Sequence, residues 1–146
     1  MHADNDKGLE PLVQAVCDVL RGLGPLPDTA AQVHFAAMKA FRSAGLGVIP
    51  EYRQPFVSRR GIRRFGKIDI VVTDATGTKC AIEIDARKPR HGSILKLTGF
   101  DGHKVIALRG VDGDCPPGID ALVRVPVRLA SMPERQDRRT VSRLRA

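Results

Sequence analysis

Leu12, Val13, Val16, Val19 and Leu20 recur at the three-to-four-residue spacing of one helix face. The spacing predicts a helix over 9–21, stopped by Gly22 and Gly24. Pro25 and Pro27 break the chain, and Asp28 or Thr29 can then cap a second helix that runs to about Ser43 and closes at Gly45. Its apolar stripe is expected to be Val33, Phe35, Ala36, Ala37, Met38, Ala40 and Phe41. Past Gly47 the period falls to two. Val48–Val57 reads as a strand that Pro50 and Pro55 bend or confine to a sheet edge. Ser58–Phe65 is a hairpin or loop around Gly61, and 67–73 and 79–85 are strands joined by the turn residues Asp74 to Gly77. Ser93 is expected to cap a short helix over 94–99, and 104–108 is a further apolar strand. Residues 110–118 form a loop, while 120–129 fits either a strand or a short helix leading into one. Helices, then strands, then a helix and a strand make a mixed α/β layer fold.

Composition narrows this little, but charge adds to it. The chain has 146 residues, 42% of them hydrophobic, which suits one globular unit with a core of its own. No apolar run reaches the length of a membrane span, and the first residues are polar and acidic, unlike a secretory signal. The organisation expected is an N-terminal helix and linker over 1–27, a main domain over 28–130 and a basic tail over 131–146. Cys17, Cys80 and Cys115 are sparse and fall in no CxxC pair. With scattered His2, His34, His91 and His103 they offer no zinc spacing, and a reducing, cytoplasmic (intracellular) setting is expected, nucleoid-associated if the source is bacterial or phage. The net charge is +8. Arg53, Arg59, Arg60, Arg63, Arg64 and Lys67 crowd 51–67 against Glu51 alone, and Arg135, Arg138, Arg139, Arg143 and Arg145 crowd the end. Such clusters point to a polyanion, most simply nucleic acid, or to a solubilising surface.

The hairpin over 67–85 carries the candidate chemistry. A three-residue loop, Ala75-Thr76-Gly77, makes paired positions sum to 152. Asp69 then opposes Glu83, and Lys67 opposes Asp85, with all four side chains on one face. Ile68, Ile70, Val72, Cys80, Ile82 and Ile84 form the other, a core face that resists a register slip. Opposed acids repel, so something must compensate: a divalent cation or a neighbouring base.

Gly66-Lys-Ile-Asp69 running into apolar residues, then Glu83-Ile-Asp85, inside a helix–strands–helix–strand order, resembles the PD-(D/E)XK nuclease superfamily. The resemblance covers about Asp28 to Leu108. It implies an α/β restriction-endonuclease-like core (αβββαβ), with a central mixed sheet of four or five strands flanked by helices. It implies metal-dependent endonuclease cleavage of DNA, branched or structured forms included. Asp69, Glu83 and the main-chain carbonyl of Ile84 would hold Mg²⁺, or Mn²⁺. Nucleic acid, DNA first, is then the partner, with no membrane, and a junction-type enzyme of this kind would be expected to form a homodimer.

The chain departs from that pattern twice. Asp85 stands where the motif has lysine, and a substitute lysine would come from Lys67, Lys88 or Lys96. Lys96 is favoured because Ser93 and Lys96 share a helix face close behind the acids. The first helix also lacks the acid that the family often places there; Gln32 and Glu51 are the nearest groups. In the reading that results, Asp69, Glu83, Asp85, Lys88 and Lys96 are the catalytic candidates. Arg59, Arg60, Arg63, Arg64, Arg87, Arg90 and Ser93 hold nucleic acid, Arg forks matching phosphate oxygens. Phe35, Phe41, Tyr52, Phe56, Phe65 and Phe100 are assigned mostly to the core, so base stacking is not expected. A nuclease fold that binds without cutting, and an unrelated basic RNA-binding protein, are the alternatives.

Overall fold

The computed structural model describes residues 8–128. The expectations for 129–146, the arginine-rich tail among them, lie outside the described residues. In chain order the elements are α1 (Pro11–Arg21), β1 (Leu26–Pro27), α2 (Ala30–Ser43), β2 (Gly47–Val57), β3 (Arg63–Thr73), β4 (Lys79–Asp85), α3 (His91–Thr98), β5 (His103–Arg109), β6 (Ala121–Val125) and β7 (Val127–Arg128). Strands β2 to β6 form one mixed sheet in sequence order. Strands β2, β3 and β4 meander antiparallel, while β5 and β6 are parallel to β4. The fold is α/β, a five-stranded mixed sheet flanked by helices. No helix among the described residues is long and apolar enough to cross a membrane.

Helices α1 and α2 cover one face of the sheet. The α1 stripe of Leu12, Val13, Val16, Cys17 and Leu20 is buried against Ile70, Val72, Cys80, Ile82, Ile84, Val105 and Val123. Each large side chain placed there contributes roughly 1.5–3 kcal/mol relative to exposure. The 9–21 helix therefore shares its core with the sheet. Glu10 caps α1, its carboxylate accepting the Leu12 and Val13 amides. Thr29 caps α2. The α2 stripe is narrower than expected: Val33, Ala37 and Phe41 are buried, whereas Phe35 is 68% exposed. Helix α3 covers the opposite face, where Leu97 and Phe100 pack on Ile68, Val71, Ala81, Ile106 and Leu108. The 120–129 ambiguity resolves as strand, and β2 is an edge strand that accommodates both prolines.

The β3–β4 turn follows the expected register. Asp74 takes the Thr76 and Thr78 amides on its side chain, and Gly77, at φ +86°, donates its amide to the Asp74 carbonyl. Ile70 faces Ile82, and Thr73 faces Lys79, the predicted sum of 152. Short of the acids the ladder stops.

Candidate active site

At Asp69 and Glu83 the carboxylates replace the β3–β4 ladder. Asp69 donates its amide to Glu83 Oε2 at 2.8 Å, and Ile84 donates its amide to Asp69 Oδ2 at 2.7 Å. Neighbouring β2 deforms at the same level, where Glu51 has φ +49° between the pairs Pro50–Ile70 and Tyr52–Ile68. The strict two-residue alternation fails here. Ile68 packs with α3 and Ile70 with α1 and α2, so Lys67, Asp69, Glu83 and Asp85 do not share the single face expected of them. The ladder carries no Lys67–Asp85 pair either; Lys67 is exposed and lies 3.8 Å from Glu51. A side chain that takes over a ladder hydrogen bond rotates its strand locally, which a pure period-two reading cannot contain.

Two helices complete the site from opposite faces. His34 on α2 places Nε2 3.3 Å from Asp69 Oδ2. Lys96 on α3 places Nζ 2.5 Å from Glu83 Oε1 and donates to the Lys67 carbonyl at 2.8 Å. The Lys96 stem crosses β3 at Gly66, where a β-carbon would stand 2.6 Å from Lys96 Cδ. Of the three lysines considered, Lys96 is the one that lies against Glu83; Lys67 is exposed near Glu51, and Lys88 is exposed on the β4–α3 loop. His34 went unrecognised in the sequence. Its only signal was position: it is the titratable group flanking the Val33–Ala37–Phe41 stripe of α2, where Gln32 and Glu51 had been the nearest candidates.

Electrostatics separate the two acids. Burial pushes Asp69 upward, but His34 and the Ile84 amide outweigh it and hold Asp69 below the usual carboxylate range. The same contact raises His34, against the opposing effect of its burial. Glu83 is fully buried. Burial first, and then the Asp69 charge, push it up to about 7, with Lys96 and the Asp69 amide opposing. Glu83 Oε1 is buried, and its contact is the Lys96 ammonium.

The position beside that oxygen is taken by the Lys96 ammonium, so a divalent cation there would have to share or displace it. Mg²⁺ binds through one or two carboxylates and keeps several waters. No group of three His, Cys, Asp or Glu side chains among the described residues is arranged to hold a metal, so the protein would supply two carboxylates at most from these types. At Ile84 the amide, rather than the carbonyl, touches Asp69.

The remaining candidates divide. Asp85 is buried, and it accepts the Arg90 amide (2.9 Å), Arg90 Nε (3.1 Å) and the Ser93 hydroxyl (2.9 Å). It anchors the start of α3. Ser93 lies inside the first turn instead of capping it; Arg90 holds the cap position. Arg87 donates to Asp28 and to the Ala86 and Arg109 carbonyls, tying the β4–α3 loop to α2 and β5. The side chains of Asp85, Arg87, Arg90 and Ser93 are thus engaged with the protein itself. Arg59, Arg60, Arg63 and Arg64 sit on the β2–β3 hairpin, with Arg59 Nε 2.8 Å from His91 Nε2 at the start of α3. No protein-family model matches the chain, and no curated protein sequence matches it.

Proposed function

We propose that the protein is a metal-dependent endonuclease that hydrolyses phosphodiester bonds in DNA, built on a restriction-endonuclease-like core. One observation carries the reading. Asp69, Glu83 and Lys96 come from three different elements to one interrupted point of the sheet, with the buried Glu83 carboxylate held between the Asp69 amide and the Lys96 ammonium. Fully buried charge is expensive, and a fold that accumulates it in one place usually uses it.

In this reading Asp69 and Glu83, with the Ile84 carbonyl, would hold one Mg²⁺ or Mn²⁺, which would supply polarisation of a phosphoryl oxygen and a more acidic water. Asp69, kept ionised by His34 and the Ile84 amide, is the constant anionic ligand. Lys96, the substitute for the motif's lysine, places a cation where charge builds on the phosphate. Asp85 acts one step removed, holding α3 and therefore Lys96 in place. The hairpin arginines grip the backbone, and phosphate contacts give little sequence preference.

The second reading, a nuclease fold that binds without cutting, is favoured by Lys96 already lying against Glu83. Supercoiled plasmid and branched DNA incubated with the protein in Mg²⁺ or Mn²⁺ separate the two. Cutting should require the metal and fall at least about 100-fold in Asp69→Asn, with binding in EDTA retained. Binding without cutting, on every DNA form and with either metal, overturns the enzyme reading.

A further inference from the structure

The exposed ring of Phe65 lies in a strongly cationic setting. Phe65 is 65% exposed, and the Arg53 guanidinium carbon stands 4.3 Å from its ring centroid. With Phe56, Pro55, Arg63 and Arg64 it lines a groove of about 430 Å³. A second groove, of about 330 Å³, opens beside it between the hairpin turn and α3, lined by Arg59, Arg60, Arg64, His91, Ile62 and Leu95. Arg64 lines both, and neither lining includes an acidic residue. The hairpin's two acids, Glu51 on β2 and Asp69 on β3, both lie away from the turn, Glu51 near Lys67.

A flat apolar ring beside a cluster of guanidinium groups matches a ligand with a π-face and an anion a short reach apart. A nucleotide is such a ligand. The ring takes the base by stacking and Arg fixes the phosphate as a planar fork. A duplex hides its base faces, so the ring would have no use in duplex binding. An acidic peptide would satisfy the arginines and leave the ring unused.

We propose that the β2–β3 hairpin is a binding site for unpaired nucleotides, one base stacking on Phe65 and the flanking phosphates lying on Arg59, Arg60 and Arg64. The inference rests on the nucleic-acid part of the proposed function and is independent of hydrolysis. It changes the expectation that aromatic residues take no part in recognition.

The chain has no tryptophan, so Phe65→Trp introduces a sole indole at the site, excited selectively, apart from Tyr52, at the long-wavelength edge of its absorption. The test is run in EDTA with oligothymidylate and a blunt duplex of equal length. The indole emission should be quenched on saturation with oligothymidylate. Wild-type protein, followed by fluorescence anisotropy, should prefer the single strand about tenfold. Phe65→Leu should lose about tenfold for the single strand and less than twofold for the duplex, the size of one lost stacking contact. Phe65 is exposed, so both variants should keep the parental melting temperature. Binding with no quenching, an equal loss on both substrates, or no binding of the single strand at low salt overturns the site. A protein that quenches but never cuts keeps this site and loses the nuclease reading; one that cuts without quenching does the reverse.

Discussion

Gly66 is the residue on which the site's geometry turns. Any larger residue there meets the Lys96 stem, since a β-carbon would lie 2.6 Å from Lys96 Cδ and 3.1 Å from Phe56. Lys96 is flexible and would move, withdrawing the ammonium that opposes the upward push of burial on Glu83. Gly66→Ala is therefore expected to lower the cutting rate about 10–100-fold while leaving single-strand affinity within about twofold. Single-turnover cleavage and anisotropy on the same preparation check it; an unchanged rate means that Lys96 needs no fixed position. Asp85 shows how a motif position can change its task. At the place of the motif's lysine stands an acid whose two oxygens are spent on Arg90 and Ser93. Its spacing was legible in the sequence. Its partners were not, because α3 begins at His91, three residues earlier than a helix opening at Ile94.

Between elements, Asp28 is the main clasp. It lies just before α2 and receives Arg87 from the β4–α3 loop and Arg109 Nε, at 2.9 Å, from β5. Arg87 first, and then Arg109, hold its carboxyl below the usual range against the opposing cost of burial. A carboxyl depressed in the folded state adds stability above its unfolded pKa, near 3.8, and that stability fades as the pH falls through the folded value. Asp28→Asn should cost about 1–2 kcal/mol at pH 7, and the difference from wild type should shrink below about pH 4. Urea unfolding at both pH values reads this directly; an equal cost at both would mean that Asp28 acts by packing. The sequence offered Asp28 only as a helix cap. The hydroxyl of Thr29 took that place, and two arginines, 59 and 81 positions away along the chain, recruited the acid.

Among the described residues, the arginines fall into two sets. The hairpin presents Arg59, Arg60 and Arg64 around one groove, while Arg87 and Arg90 are drawn into internal pairs. Each phosphate neutralised on a single strand releases condensed counterions and adds about 0.7 to the slope of log affinity against log salt. The triple variant Arg59→Ala/Arg60→Ala/Arg64→Ala should therefore flatten that slope by about 2, whereas Arg87→Ala should leave it unchanged and lower stability instead. Affinities measured across a potassium chloride series distinguish them, and an unchanged slope in the triple variant would place the phosphates elsewhere.

What the chain determined by itself was local and periodic. Helix stripes, a bent or edge β2, the Asp74–Gly77 turn and the register from Ile70–Ile82 to Thr73–Lys79 follow from spacing and turn chemistry within a few residues. The tertiary structure decided whatever depends on contacts between distant segments. It joined His34 and Lys96 to the acids from opposite faces, replaced the ladder at Asp69 with side-chain hydrogen bonds, withdrew Arg87 and Asp85 into scaffolding, and left the Phe65 ring exposed. Periodicity records how each element alternates between core and solvent. It carries no information about which side chains meet when two elements pack, and the chemistry of this site is made of those meetings.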